Sequence, residues 1–177
     1  FLQQKNMQLL FYKGNYSEML QTLNNLINEN KLDNKYLNDL LEIKTIALFF
    51  NENQNSFKKY ASIQHKIKMN KIFEANLELV ELIKSDNILI SELAQFQYAL
   101  ILIKKGNIKE AQTIIELMDG KTIFSEISLI INAEIEDYIN QNYEFVMQLY
   151  QNILNKYPNS IYKENIIKRL NIINQFL

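Results

Sequence analysis

An all-α fold is what this sequence predicts, and three observations predict it. Glycine and proline are scarce, 3 and 1 in 177 residues. Sheets need turn residues at each reversal and phosphate-binding loops need glycines, so neither has its raw material here. Apolar residues recur at three- and four-residue spacing along nearly the whole chain, the period of helices with one buried stripe. The breaks between these stretches are short and carry helix-stopping chemistry. A hydrophobic fraction of 47% is ample for a packed core and argues against disorder.

The pattern predicts helices over 2–13, 16–29, 33–50, 54–68, 70–84, 88–105, 107–118, 121–139, 143–156 and 160–176, about nine or ten in number. Gly14-Asn15 ends the first and Gly106-Asn107 the sixth, since glycine and asparagine accept the left-handed conformation that closes a helix. Asp119-Gly120 closes the helix carrying Ile114, Ile115 and Met118. Pro158 stops another, and Asn159 and Ser160 offer a cap to the next. Between 54 and 84 the boundary signal is Met69-Asn70, which leaves one long helix or two open. Turns this short read as stacked antiparallel hairpins. With no Ser-, Gly- or Pro-rich linker, 1–177 reads as a single domain. Among the 10 Tyr and 10 Phe, Phe11, Phe50, Phe57, Phe73, Phe124 and Tyr150 fall in the apolar stripes and are expected in the core; Tyr36 and Tyr138 are left open.

Charge narrows the function classes. Net charge is −1, from 19 basic and 20 acidic residues spread along the chain, and Arg169 is the sole arginine. Nucleic-acid binding relies on a concentrated basic face and on arginine's bidentate fork, so it is not expected. Cysteine is absent, which removes disulfides and thiolate metal sites. The longest apolar runs, such as Tyr98–Ile103, are far short of the ~20 residues of a membrane span. The chain opens at Phe1 rather than Met and is read as a fragment of a longer protein.

Candidate chemistry is sparse. His65 is the one histidine; beside Gln64, Lys66 and Lys68 it reads as a surface residue rather than a ligand. Glu134, Glu136 and Asp137 form the densest acidic cluster. Glu134 and Asp137 share a helix face and could meet a cation or a basic peptide, but a solvated face is the expected reading. No nucleophile–base pair, metal-ligand spacing or phosphate loop is present. The expectation is no catalytic residue, no metal, no cofactor and no enzyme.

The turns repeat in context. Tyr12-Lys13-Gly14-Asn15-Tyr16-Ser17-Glu18-Met19-Leu20 aligns with Ile103-Lys104-Lys105-Gly106-Asn107-Ile108-Lys109-Glu110-Ala111. A third copy is Ile139-Asn140-Gln141-Asn142-Tyr143-Glu144-Phe145-Val146, and a fainter one is Asn53–Tyr60. With these motifs the chain resembles the tetratricopeptide repeat family, whose unit is a helix–turn–helix of about 34 residues. Gly14 and Gly106 match its turn glycine, Tyr16 and Tyr143 its following aromatic, Ala111 its small residue and Pro158 its terminal proline. Met19, Tyr60 and Val146 stand where the family prefers alanine. The Tyr157-Pro158-Asn159-Ser160 ending is similar to repeats of bacterial envelope proteins, which favours a periplasmic or envelope setting over the cytoplasm.

The resemblance implies a right-handed solenoid of helical hairpins that serves as a non-catalytic scaffold for a protein or peptide partner in a multiprotein assembly. Carried over by position, Phe96, Gln97, Leu100 and Lys104 from one first helix, and Ser128, Asn132 and Ile135 from the next, would face the partner on the concave side. The alternative it implies is a peptide-sensing regulatory domain of a larger bacterial regulator. The last helix, 160–177, carries Ile161, Ile166, Ile167, Leu170, Ile173 and Leu177, and is expected to pack on a further repeat or on a partner.

Overall fold

The computed structural model describes residues 2–28, 34–118 and 122–177, with side chains described outside 2–4 and 34–39. Ten α-helices, and no strand, occur among the described residues. They are α1 (Leu2–Tyr12), α2 (Tyr16–Asn28), α3 (Asn34–Phe49), α4 (Gln54–Lys68), α5 (Ile72–Ile83), α6 (Ile88–Lys104), α7 (Ile108–Glu116), α8 (Phe124–Ile135), α9 (Tyr143–Lys156) and α10 (Lys163–Ile173). A π-helical turn, Glu136–Asn140, extends α8. The stretch 54–84 is two helices, because Asn70 takes a left-handed φ of 59° and reverses the chain. The Tyr36 side chain and the Asp119-Gly120 turn lie outside what is described.

The chain divides into two compact units, Phe1–Ala94 and Gln95–Leu177. In the first, α2 packs on α1 and α3, and α4 packs on α1, α2 and α5. Its core is aromatic: Phe57 meets Phe11, Tyr16 and Phe50 edge-on at centroid distances of 5.7, 5.1 and 5.8 Å. Such edge contacts set the positive rim of one ring against the negative face of another. In the second unit, Ala99 and Leu102 of α6 pack with Ala111 and Ile115 of α7 and Ile135 of α8. Ile130 and Ala133 of α8 then pack with Val146, Tyr150 and Ile153 of α9, and with Ile166 and Ile173 of α10.

A left-handed residue turns the chain in four hairpins, three of them with one bonding pattern. A left-handed residue stands between α1 and α2 (Gly14, φ 70°), α4 and α5 (Asn70, 59°), α6 and α7 (Gly106, 80°), and α8 and α9 (Gln141, 55°). In the first three, its amide donates to the carbonyl three residues back, at 2.9–3.0 Å. The following amide donates five back: Asn15 to Leu10, Lys71 to Lys66 and Asn107 to Leu102, at 2.8–3.0 Å. These bonds satisfy carbonyls that a helix end otherwise leaves bare. The fifth residue after each left-handed position is Met19, Ala75, Ala111 or Val146, each 0% exposed. The spacing from Asn70 to Gly106 is 36 residues and from Gly106 to Gln141 is 35.

The fainter copy expected at Asn53–Tyr60 is a different device. Asn53 is an N-cap whose side chain accepts from the Ser56 amide at 3.1 Å, and the repeated turn stands at Asn70 instead. Of the expected core aromatics, Phe11, Phe50, Phe57, Phe124 and Tyr150 are buried. Phe73 is not: it is 75% exposed, because Ala75, Leu79 and Leu82 on the opposite side of α5 supply its buried stripe.

Candidate functional site

The face expected to meet a partner can be followed along α6 and α8 in the second unit. Phe96 is half-buried, its ring 5.6 Å from that of Phe124. Gln97 is half-buried, while Leu100 and Lys104 are exposed. On α8, Ser128 is 2% exposed and its hydroxyl donates to the Phe124 carbonyl at 2.6 Å. Asn132 is half-buried and accepts a hydrogen bond from Gln112 at 3.3 Å. Ile135 is buried in the core shared with α6 and α7, so its side chain is taken up by packing. Ser128 and Asn132 do come together. With Leu129, Met118, Glu116 and Lys156 they line a recess of about 300 Å³. Its wall offers an amide, a thioether, an aliphatic side chain and one charge of each sign, the mixture that positions peptide groups and side chains.

A second cluster forms where the fourth turn departs from the other three. Here Asn142 reaches six residues back, to the Glu136 carbonyl at 3.3 Å, so the turn contains one residue more. An added residue rotates the residues downstream of it by about 100° around the helix, and the added length is accommodated as the π-helical turn. Asp137 lies in this turn and is 1% exposed. Its two oxygens accept from Arg169 Nε and Nη2 of α10, both at 2.6 Å, and the Tyr150 hydroxyl donates to Oδ2 at 3.3 Å. The Arg169 guanidinium also lies 4.8 Å from the centre of the Tyr138 ring, a favourable cation–π placement.

The electrostatics follow from this geometry. The hydrogen bond to Asp137 raises the Arg169 pKa above its already high ordinary value. Burial, then the charges of Asp137 and Glu134, push the Tyr150 phenol up. Burial, then Asp137, also raises Glu134. A recess of about 120 Å³ adjoins the cluster, lined among others by Glu134, Tyr138, Tyr162, Asn165 and Arg169. Both carboxylate oxygens of Asp137 are engaged, and the fork of Arg169 is spent inside the fold. The arrangement is a clamp of α10 onto the end of α8.

The acidic cluster is therefore not a uniformly solvated face. Glu134 is exposed, Glu136 is half-buried and accepts from Gln112 at 2.8 Å, and Asp137 is buried. The signal was present: Ile130, Ala133 and Asp137 follow one another at helical spacing on the apolar stripe. His65 is exposed, its ring 5.4 Å from that of Tyr12. Among the described residues no three His, Cys, Asp or Glu side chains gather where they could hold a metal ion, and no helix is long and apolar enough to cross a membrane.

In comparisons with known proteins, no family model, curated protein or solved structure matches this chain. The functional reading therefore stands on the residues and the geometry alone.

Proposed function

We propose that this chain is a non-catalytic protein-interaction scaffold of the tetratricopeptide type. Its hairpins stack as a right-handed solenoid, and the first-helix face of α6 and α8 holds an extended peptide or helix of a partner within a larger assembly. One observation carries the reading: Leu100 of α6 is exposed, and half-buried Asn132 of α8 lines a recess of about 300 Å³ with residues of α7 and α9, so positions that the resemblance assigns to a partner are accessible. The recurring turn supports it, since stacked hairpins of one geometry leave a continuous row of first helices. Exposed Lys104 and half-buried Gln97 on α6 add a charge and an amide to the same row.

The test begins with crosslinking in the source cells and identification of what is joined to the chain. Each identified partner is then titrated against the protein and against a variant with alanine at Gln97, Lys104 and Asn132. At least tenfold weaker binding is expected, about 1.4 kcal/mol, with unchanged helical circular dichroism. Unaltered affinity for every partner would refute the reading.

A further inference from the structure

The four hairpins share not only their buried positions but also their outward ones. The third, seventh and tenth residues after the left-handed turn are Ser17, Gln21 and Asn24 on α2, Lys109, Thr113 and Glu116 on α7, and Glu144, Gln148 and Gln151 on α9. All nine are polar and all nine are exposed. On α5 the same three positions are Phe73, Leu77 and Val80, exposed by 75%, 57% and 39%. One second helix in four thus carries an apolar stripe on the side that the others give to water, directly opposite its own buried Ala75, Leu79 and Leu82.

We infer that this stripe of α5 is a docking surface for an amphipathic helix of a partner protein, one that bears lysine or arginine beside its apolar row. The spacing of Phe73, Leu77 and Val80 is the i, i+4, i+7 pattern by which one helix lies along another. The stripe's edge selects the charge. Glu74 and Glu81 flank it on one side, held only by exposed pairs with Lys71 at 3.9 Å and Lys59 at 3.4 Å, and such pairs hold their members weakly. A second copy of this chain is the poorer occupant on two counts. In an antiparallel two-fold pair like edges meet, which would set Glu74 and Glu81 of both copies along one seam. From Phe73 to Val80 the row is also only about 10 Å long, too short for the roughly 800 Å² per partner of a stable dimer. A short row suits a reversible contact, and a basic flank on the partner turns the two carboxylates from an obstacle into a selector.

The test uses the whole chain and two fluorescent synthetic peptides, each with leucines at i, i+3, i+4 and i+7. One has lysines beside the leucines and the other has glutamates. Anisotropy is expected to give the lysine peptide a Kd on the order of 10 µM, with the glutamate peptide at least tenfold weaker. Giving α5 the residues of α2, Phe73→Ser, Leu77→Gln and Val80→Asn, should abolish binding while helicity persists. Reversing the edge, Glu74→Lys with Glu81→Lys, should transfer the preference to the glutamate peptide. Equal binding of both peptides, binding that survives the triple variant, or an edge reversal without effect would each overturn the inference. So would collapse of the triple variant, which would make the stripe part of the core. Sedimentation showing that the stripe drives self-association would replace the partner helix by a second copy.

Discussion

Asp137 and Arg169 show how much a single pair of residues decides here. A carboxylate 1% exposed is tolerable because the guanidinium meets it with two parallel hydrogen bonds and the Tyr150 hydroxyl donates a third. Removing the cation alone strands the anion: Arg169→Met is expected to lower stability by about 3–5 kcal/mol. Removing both charges, Asp137→Leu with Arg169→Met, is expected to recover most of that loss, because the desolvation cost goes with the pair. Urea unfolding of the wild type, the two single variants and the double variant measures the coupling. Additive losses would show that the pair does not act as a unit. The chain's only arginine thus directs its fork at the protein's own carboxylate.

At the scale of the element, the repeated turn explains why two glycines that look alike differ. Gly14 and Gly106 both have φ in the left-handed region, where a side chain costs about 1–2 kcal/mol. Around Gly106 nothing lies within 4 Å of where a Cβ would stand, whereas at Gly14 that atom would meet Lys58 Cγ at 2.9 Å and Lys58 Cα at 3.2 Å. Gly106→Ala should therefore cost only the backbone strain, and Gly14→Ala more, since α4 must also move. Thermal unfolding of the two variants orders them; a larger loss at Gly106 would contradict the packing account. Helix ends were legible in the sequence to within a few residues because they follow from local stereochemistry. The turn at Asn70 was only half legible, since an asparagine in the left-handed region is one of several conformations that residue accepts. With that turn assigned, the left-handed positions Asn70, Gly106 and Gln141 stand 36 and 35 residues apart.

The whole molecule is two compact units, and a disturbance inside one should stay there. In Arg169→Met, amide exchange is expected to quicken in α10 and in the Glu136–Asn140 turn, with α1, α2 and α4 as protected as before. Hydrogen-exchange mass spectrometry reads this directly, and equal loss of protection in the first unit would mean that the chain opens as one. The terminal helix is covered on one side. Ile166 and Ile173 are buried, Leu170 is partly so, and Glu164, Lys168, Asn171 and Gln175 are exposed. Ile161, Ile167, Ile172 and Leu177 of the segment 160–177 are exposed alongside them, which leaves apolar surface where packing on a further repeat or a partner is expected. Of the residues expected on the partner face, Leu100 and Lys104 are exposed, and Phe96, Gln97 and Asn132 are half-buried. Ser128 and Ile135 went inward because helices packed on both sides leave little of α8 to solvent.

The sequence by itself determined the helical class, most of the helix boundaries and the left-handed turns at Gly14 and Gly106, since these depend on period and on backbone sterics within a few residues. Only the tertiary structure decided that Asp137 turns inward to an arginine 32 residues away, and that α5 buries Ala75, Leu79 and Leu82 and leaves Phe73, Leu77 and Val80 bare. The reason is physical: a helix apolar on two sides satisfies the same pattern whichever side is covered, and the choice is made by what packs against it.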